Sequence, residues 1–291
     1  MPAVASSTID PFAASTGGAW ARGGVRVERV DRLPANGSHC TTPYFRIFSD
    51  DSGLTIRHRY STADISDEIT TTVADGLATA DSGGGQDIFE TAMTGIVASC
   101  ADDPIQAWIA FYQNSIRRLE DGTAAFAPVH EHAESLITGN RVLDVGSCFG
   151  FFPLRLAAAG TTVVASDLNA GTMRLLETVA PRLGRPLETA VFDAAAIALP
   201  PSSVDTVTAL HLVEHLTPAS ALAVLDDALR VARTRVVVAV PFEAIPTECY
   251  GHQQVFDLES LTELGPAVVR AHPDVRASVH EYHGGWLVLD R

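Results

Sequence analysis

Residues 142–150 read VLDVGSCFG: an apolar run that ends in an aspartate, then a glycine, then a small-residue turn closed by a second glycine. Near-continuous apolar runs of this kind are typical of parallel strands covered on both faces. In an open α/β sheet, ligands bind beyond the carboxyl ends of such strands, at the switch in strand order. Gly146 and Gly150 let the backbone turn tightly and let a ligand approach without a Cβ in the way. Phe151 then starts a helix whose first amides face the same place.

Working outward, strand and helix patterns alternate from 141 to the end. Strands are expected at 141–145, 162–166, 188–192, 204–210, 234–240, 276–282 and 285–289, and helices at 150–159, 170–181, 218–232 and 257–265. Thr217 reads as the N-cap of the third of these helices, with Pro218 in its first turn. The alternation predicts an α/β fold with a doubly wound, mostly parallel seven-stranded sheet. Only a short HGG link separates the last two strands, too little for a crossover helix, so they should form an antiparallel hairpin at the sheet edge.

Upstream the pattern differs. Residues 1–23 are rich in Ala, Ser, Thr and Gly and read as a flexible tail. Residues 24–62 read as β: VRVERV alternates, and YFRIFSDDSGLTIRHRY reads as two strands joined at SDDSG. Residues 63–138 read as helices interrupted by a flexible DSGGGQ break at 81–86. One of them sets Ile105, Trp108, Ile109, Tyr112, Ile116 and Leu119 on one face, a pattern of core packing. The expected domains are therefore a tail over 1–23, a β-hairpin and helical region over 24–138, and the α/β domain over 139–291.

Composition narrows the partners. The formal net charge of −15 argues against a nucleic-acid substrate. All 20 basic residues are arginine. No run approaches the ~18–20 apolar residues of a membrane span, and the first residues lack the pattern of a signal peptide. Four widely spaced cysteines form no CxxC pair, against a disulfide framework or a cysteine zinc site. A reducing cytoplasm is the expected compartment. Monomer and homodimer both stay open.

Two cofactor classes use a turn like Gly146–Gly150. A dinucleotide site wants G-x-G-x-x-G, but Cys148 and Phe151 occupy two of its three glycine positions. The acid-then-glycine pattern of Asp144 to Gly150 instead resembles the first motif of class I S-adenosylmethionine-dependent methyltransferases. The supporting marks follow in order: TTVVASDLN ends a strand at Asp167, TAVFDAAAIALP ends the next at Asp193, and SSVDTVTALHLVEHL gives the fourth strand. The resemblance implies S-adenosyl-L-methionine as cofactor. It also implies contacts from Asp144, Gly146, Ser147, Cys148, Gly150, Phe151 and Leu210. Asp167 and Leu168 would lie at the ribose, and Asp193 and Ala194 at the adenine. The region before residue 139 would then supply a lid and acceptor specificity, with Phe111, Tyr112, Phe126, His130 and His132 as candidate lining, or as core. The stretch FAPVHEHAESLITGNRVLDVGSCFGFFPLRLA is similar to mycofactocin-oligosaccharide methyltransferases, which implies a glucose hydroxyl as acceptor.

Methyl transfer from a sulfonium needs alignment above all, but a hydroxyl acceptor also needs a base, usually histidine near neutral pH. His211, Glu214 and His215 follow the fourth strand and His252 follows the fifth, so these four are the catalytic candidates. Anchoring of a helix entrance is the competing reading of the Glu214–His215 pair. A metal built from His215, His252 and acids such as Asp205 or Glu248 is chemically possible, but no compact spacing demands one and no metal is expected. His280 and His283 read as surface residues. Other small-molecule acceptors, such as a quinol, a polyketide or an amine, stay open, as does a non-catalytic binding protein on the same fold.

Overall fold

A computed structural model describes residues 10–13, 17–51, 53–80 and 85–291. The chain divides into two units: residues up to Ala125 together with Glu248–Tyr250, and Phe126–Thr247 with Gly251–Arg291.

Among the described residues, the first unit holds a five-stranded sheet and three α-helices. Its strands are β1 (Ala19–Arg22), β2 (Val25–Arg29), β3 (Cys40–Thr41), β4 (Phe45–Asp50) and β5 (Gly53–His58), in the order β1-β2-β5-β4-β3. The SDDSG hairpin is present as the β4–β5 pair, and β2 joins β5 in parallel. The helices are α1 (Ile69–Thr79), α2 (Gln86–Ser99) and α3 (Pro104–Glu120). Trp108, Phe111 and Tyr112 of α3 are fully buried, so the aromatic stripe is core. The tail expected over 1–23 is corrected here. Residues 19–22 pair with β2, Trp20 is buried, and Pro11 accepts a 2.8 Å hydrogen bond from the Trp108 indole. One strand's worth of small residues hid a core tryptophan. Residues 1–9 and 14–16 of that tail, and 81–84 of the expected break, lie outside the described residues.

The second unit starts earlier than the expected 139. Helix α4 (Ala127–Ser135) packs Val129 and Ala133 against Val142, Phe152 and Trp286. Its sheet contains β6 (Arg141–Val145), β7 (Thr162–Asp167), β8 (Glu188–Val191), β9 (Val204–Leu210), β10 (Ala232–Val240), β11 (Arg276–Glu281) and β12 (Gly285–Asp290). The order is β11-β12-β10-β9-β6-β7-β8, parallel except for β12, which runs antiparallel to both its neighbours. Only β11 of the terminal hairpin is at the edge; β12 is buried beside β10. Helices α5 (Phe151–Ala158), α6 (Ala170–Val179), α7 (Pro218–Val231) and α8 (Leu258–Ala271) connect the strands. Thr217 caps α7, its hydroxyl accepting from the Ser220 amide. Helix α8 runs past the expected stop at 265 because Pro266, normally a breaker, is held inside a strongly amphipathic helix whose Leu261 and Val268 are buried. Among the described residues no helix is long and apolar enough to cross a membrane.

The chain leaves β6 toward β7 on one side and returns to β9 on the other. The switch in strand order therefore falls at the tip of β6, where VLDVGSCFG turns.

Candidate active site

Asp144 is the acid at that tip, and it is buried. Thr208, its ladder partner on β9, donates a 2.5 Å hydrogen bond from its hydroxyl to Oδ1. Burial pushes the Asp144 carboxyl up to about 6; the Thr208 and Ser147 hydrogen bonds pull it down, and the charge of Asp167 adds a smaller upward push. A raised carboxyl pKa means that the folded state holds its proton more readily than the unfolded chain. Stability from this group is therefore highest below the ordinary carboxylate range and falls as pH rises from about 4 to about 6. Wild-type protein should lose roughly 3 kcal/mol relative to Asp144→Asn across that window, read as diverging urea midpoints between pH 4 and 7. Parallel midpoints would remove the charge from this argument.

The turn after Asp144 is fixed by its neighbours. The Ser147 hydroxyl donates to the Asp144 carbonyl at 3.0 Å, and the Ser147 amide donates to the Ser166 carbonyl at 2.9 Å. Cys148, where a glycine was expected, sits at φ +49, a left-handed conformation costly for a side-chain residue. Its amide donates to Asp167 Oδ2 at 2.9 Å, and the Asn169 amide donates to Oδ1 at 2.8 Å. Asp167 thus ties the tip of β7 to the turn of β6. Leu212 covers Gly146 so closely that a Cβ there would lie 2.8 Å from its side chain.

The remaining sequence candidates line the same carboxyl edge of the sheet. Asp167 pairs with Val191, so Asp193 lies two residues past the tip of β8, where it is exposed and accepts from the Ala195 amide at 2.9 Å. Ala194 is half-buried against the core. Leu168 is exposed, while Gly150, Phe151 and Leu210 are buried or half-buried.

His211 leaves the tip of β9 at φ +54, its amide bonded to the Ala239 carbonyl. Such strain concentrates at functional positions. The Phe126 ring meets it edge-on at 5.0 Å. Its Nδ1 lies 3.2 Å from Oε1 of Glu214, whose carboxylate is fully buried. His215 and His252, whose meeting the sequence spacing does not settle, stand ring to ring at 4.8 Å. The cause is a pair of glutamines. The Gln253 and Gln254 amides donate to the Glu214 carbonyl, and the Gln254 side chain donates to the Val213 and Leu216 carbonyls. These bonds satisfy the orphan carbonyls of the 213–216 turn and dock the His252 loop onto it. Burial pulls the His215 pKa below its usual value; the Glu214 charge opposes that.

Three contributors were missed from sequence: Thr208, which holds Asp144; Leu212, which covers Gly146; and Glu243, whose Oε2 accepts from His252 Nδ1 at 2.7 Å. Glu243 follows β10 in PFE and could have been found as a strand-tip acid beside the histidines. Asp205, weighed as a metal ligand, is committed elsewhere: it accepts from the Asn140 and Arg141 amides and from Arg233. The buried His130 packs on Phe152, and His280 stacks on Trp286 and bonds His132 at 2.7 Å, so His280 is not the surface residue the sequence suggested. His283 is exposed.

The strand order, the acid-tipped first strand and its glycine turn define a Rossmann-like α/β unit. Residues 143–240 match the family described as methyltransferase domain. Among solved structures, the chain is similar to a SAM-dependent methyltransferase from Aquifex aeolicus (20% identity, 60% of this chain and 95% of that one, TM-score 0.46). It is also similar to the PH0226 protein of Pyrococcus horikoshii OT3 (14% identity, 57% and 88%, TM-score 0.47). A third is the magnesium protoporphyrin IX methyltransferase of Synechocystis PCC 6803 with bound SAM (20% identity, 62% and 84%, TM-score 0.41). No curated protein matches the chain.

Proposed function

We propose that the second unit binds S-adenosyl-L-methionine and transfers its methyl group to a hydroxyl of a sugar or glycosylated small molecule, a glucose of mycofactocin oligosaccharide being the sharpest candidate. The observation that carries the cofactor reading is the bonded pair of strand tips: Asp144 under the glycine turn, and Asp167 locked to that turn through the Cys148 amide. The ammonium end of the cofactor would lie at the turn after Asp144, its ribose hydroxyls at Asp167, and its base near Asp193 and Ala194.

The base is His211. Its Nδ1 edge lies against the buried Glu214 carboxylate at 3.2 Å, so Nε2 is the ring nitrogen left to accept a proton. It is also next in sequence to Leu212, which covers the cofactor turn. S-adenosyl-L-methionine, held by the turn after Asp144 and by Asp167, would supply the methyl group, and His211 would take the proton of the acceptor hydroxyl on Nε2 as the ether forms and S-adenosylhomocysteine is left. A sugar is favoured as acceptor by the strong negative charge of the chain, which disfavours phosphate-bearing polymers.

Calorimetry with S-adenosyl-L-methionine tests the first half of the reading, and saturable binding is expected. Asp167→Ala removes an acceptor that also holds two backbone amides, so affinity should fall by about 5- to 150-fold, the range of ~1–3 kcal/mol for a lost buried hydrogen bond. An absence of binding sinks the proposal. Mass spectrometry with an isotopically labelled methyl donor tests the second half: label on nitrogen, or on an aglycone without sugar, would refute the acceptor.

A further inference from the structure

We infer that Glu214, His215 and His252 form a binding site for a divalent transition-metal ion. One ligand atom from each lies within 4.8 Å of the other two, and among the described residues this is the group of three that does so. Two imidazoles and one carboxylate are the donor set of many zinc and iron(II) sites.

Several further features suit an ion. Glu214 is 1% exposed, and neither of its carboxylate oxygens has an aligned hydrogen-bond donor; His211 Nδ1 is 3.2 Å from Oε1 but off the line of a hydrogen bond. An ionised carboxylate in that state is expensive to bury unless a cation meets it. His252 directs Nδ1 at Glu243 Oε2, 2.7 Å away, and the Thr247 hydroxyl donates to the other Glu243 oxygen at 2.9 Å. That is the carboxylate–histidine arrangement that fixes the tautomer of a metal-binding imidazole and leaves Nε2 as ligand. His215 is held on its own side by a hydrogen bond with the Gly251 backbone. Metal–ligand bonds near ~2.1 Å require donor atoms about 3–3.5 Å apart, so the three side chains would close by roughly an ångström on binding. Glu214 would then face His211 with Oε1 and the ion with Oε2, coupling the site to the proposed base. The metal site itself stands without the methyl-transfer reading; only that coupling rests on it.

The test uses the full-length protein, stripped with a chelator and titrated with Zn²⁺ by calorimetry and with Co²⁺ by visible absorption. One ion per chain is expected, with the Co²⁺ bands of imidazole and carboxylate ligation. Glu214→Gln, nearly isosteric, and His252→Ala should each weaken Zn²⁺ binding by at least about 100-fold, and Glu243→Gln by about 10- to 100-fold. His280→Ala, which removes the other close histidine pair, should bind as wild type. Failure of the wild-type protein to bind either ion overturns the inference. So does unchanged affinity in Glu214→Gln and His252→Ala, or loss in His280→Ala. S-adenosyl-L-methionine binding, measured separately on metal-free protein, shows whether the cofactor reading stands or falls on its own.

Discussion

Replacing His211 with asparagine should slow methyl transfer by about 10²- to 10⁴-fold, the usual contribution of a positioned general base, and leave the affinity for S-adenosyl-L-methionine intact. Asparagine is the informative substitution. His211 occupies φ +54, a region that asparagine tolerates better than most side chains, so the turn after β9 keeps its shape while the base is lost. The Glu214 carboxylate would still be buried behind it. The measurement is kcat for label transfer, with cofactor affinity from calorimetry. A fall in cofactor affinity with kcat unchanged would make His211 a shaping residue and move the base to His215 or His252.

Much of the second unit is legible in the sequence because its signals are local. The strands β6 and β9 fall where apolar runs put them, and α7 starts where Thr217 and Pro218 predict. The acids Asp144 and Asp167 can be read as strand-tip residues because a strand's end is marked by the turn that follows it. What could not be read is pairing across distance. That Thr208 holds Asp144 is a matter of parallel register between strands 64 residues apart, which no periodicity encodes. The docking of His252 against His215 depends on Gln253 and Gln254, polar residues whose only signal is the set of carbonyls they happen to reach. Trp20 shows the same limit in the first unit. Its strand is four residues long and flanked by glycine, so composition describes a tail while the β1–β2 ladder makes it core. Cys148 is the instructive middle case. The sequence shows a cysteine where glycine is usual, and the left-handed backbone there shows that the turn kept its geometry and accepted the strain.

Gly150 admits no such exchange, and its substitution should have the largest effect on the fold of the site. It sits at φ +73 as the N-cap of α5, its amide bonded to the Ser147 carbonyl at 2.7 Å. A Cβ added there would lie 2.4 Å from Leu176 Cδ2, and Leu176 is fully buried in α6. Two costs therefore act together. The left-handed backbone costs a side-chain residue roughly 1–2 kcal/mol, and forcing carbon into a packed core costs roughly 1–3 kcal/mol more. Gly150→Val should lose about 2–5 kcal/mol of stability, seen as a lower urea midpoint. It should also abolish S-adenosyl-L-methionine binding by calorimetry, because moving Leu176 and the start of α5 displaces the turn that Asp167 holds. Gly160 separates the two costs: at φ +85 its Cβ would meet nothing within 4 Å. Gly160→Ala should show the backbone cost alone, and Gly150→Ala should exceed it. Equal losses at the two positions would mean that Leu176 yields freely, and that the turn is shaped by its backbone conformation without help from the packing behind it.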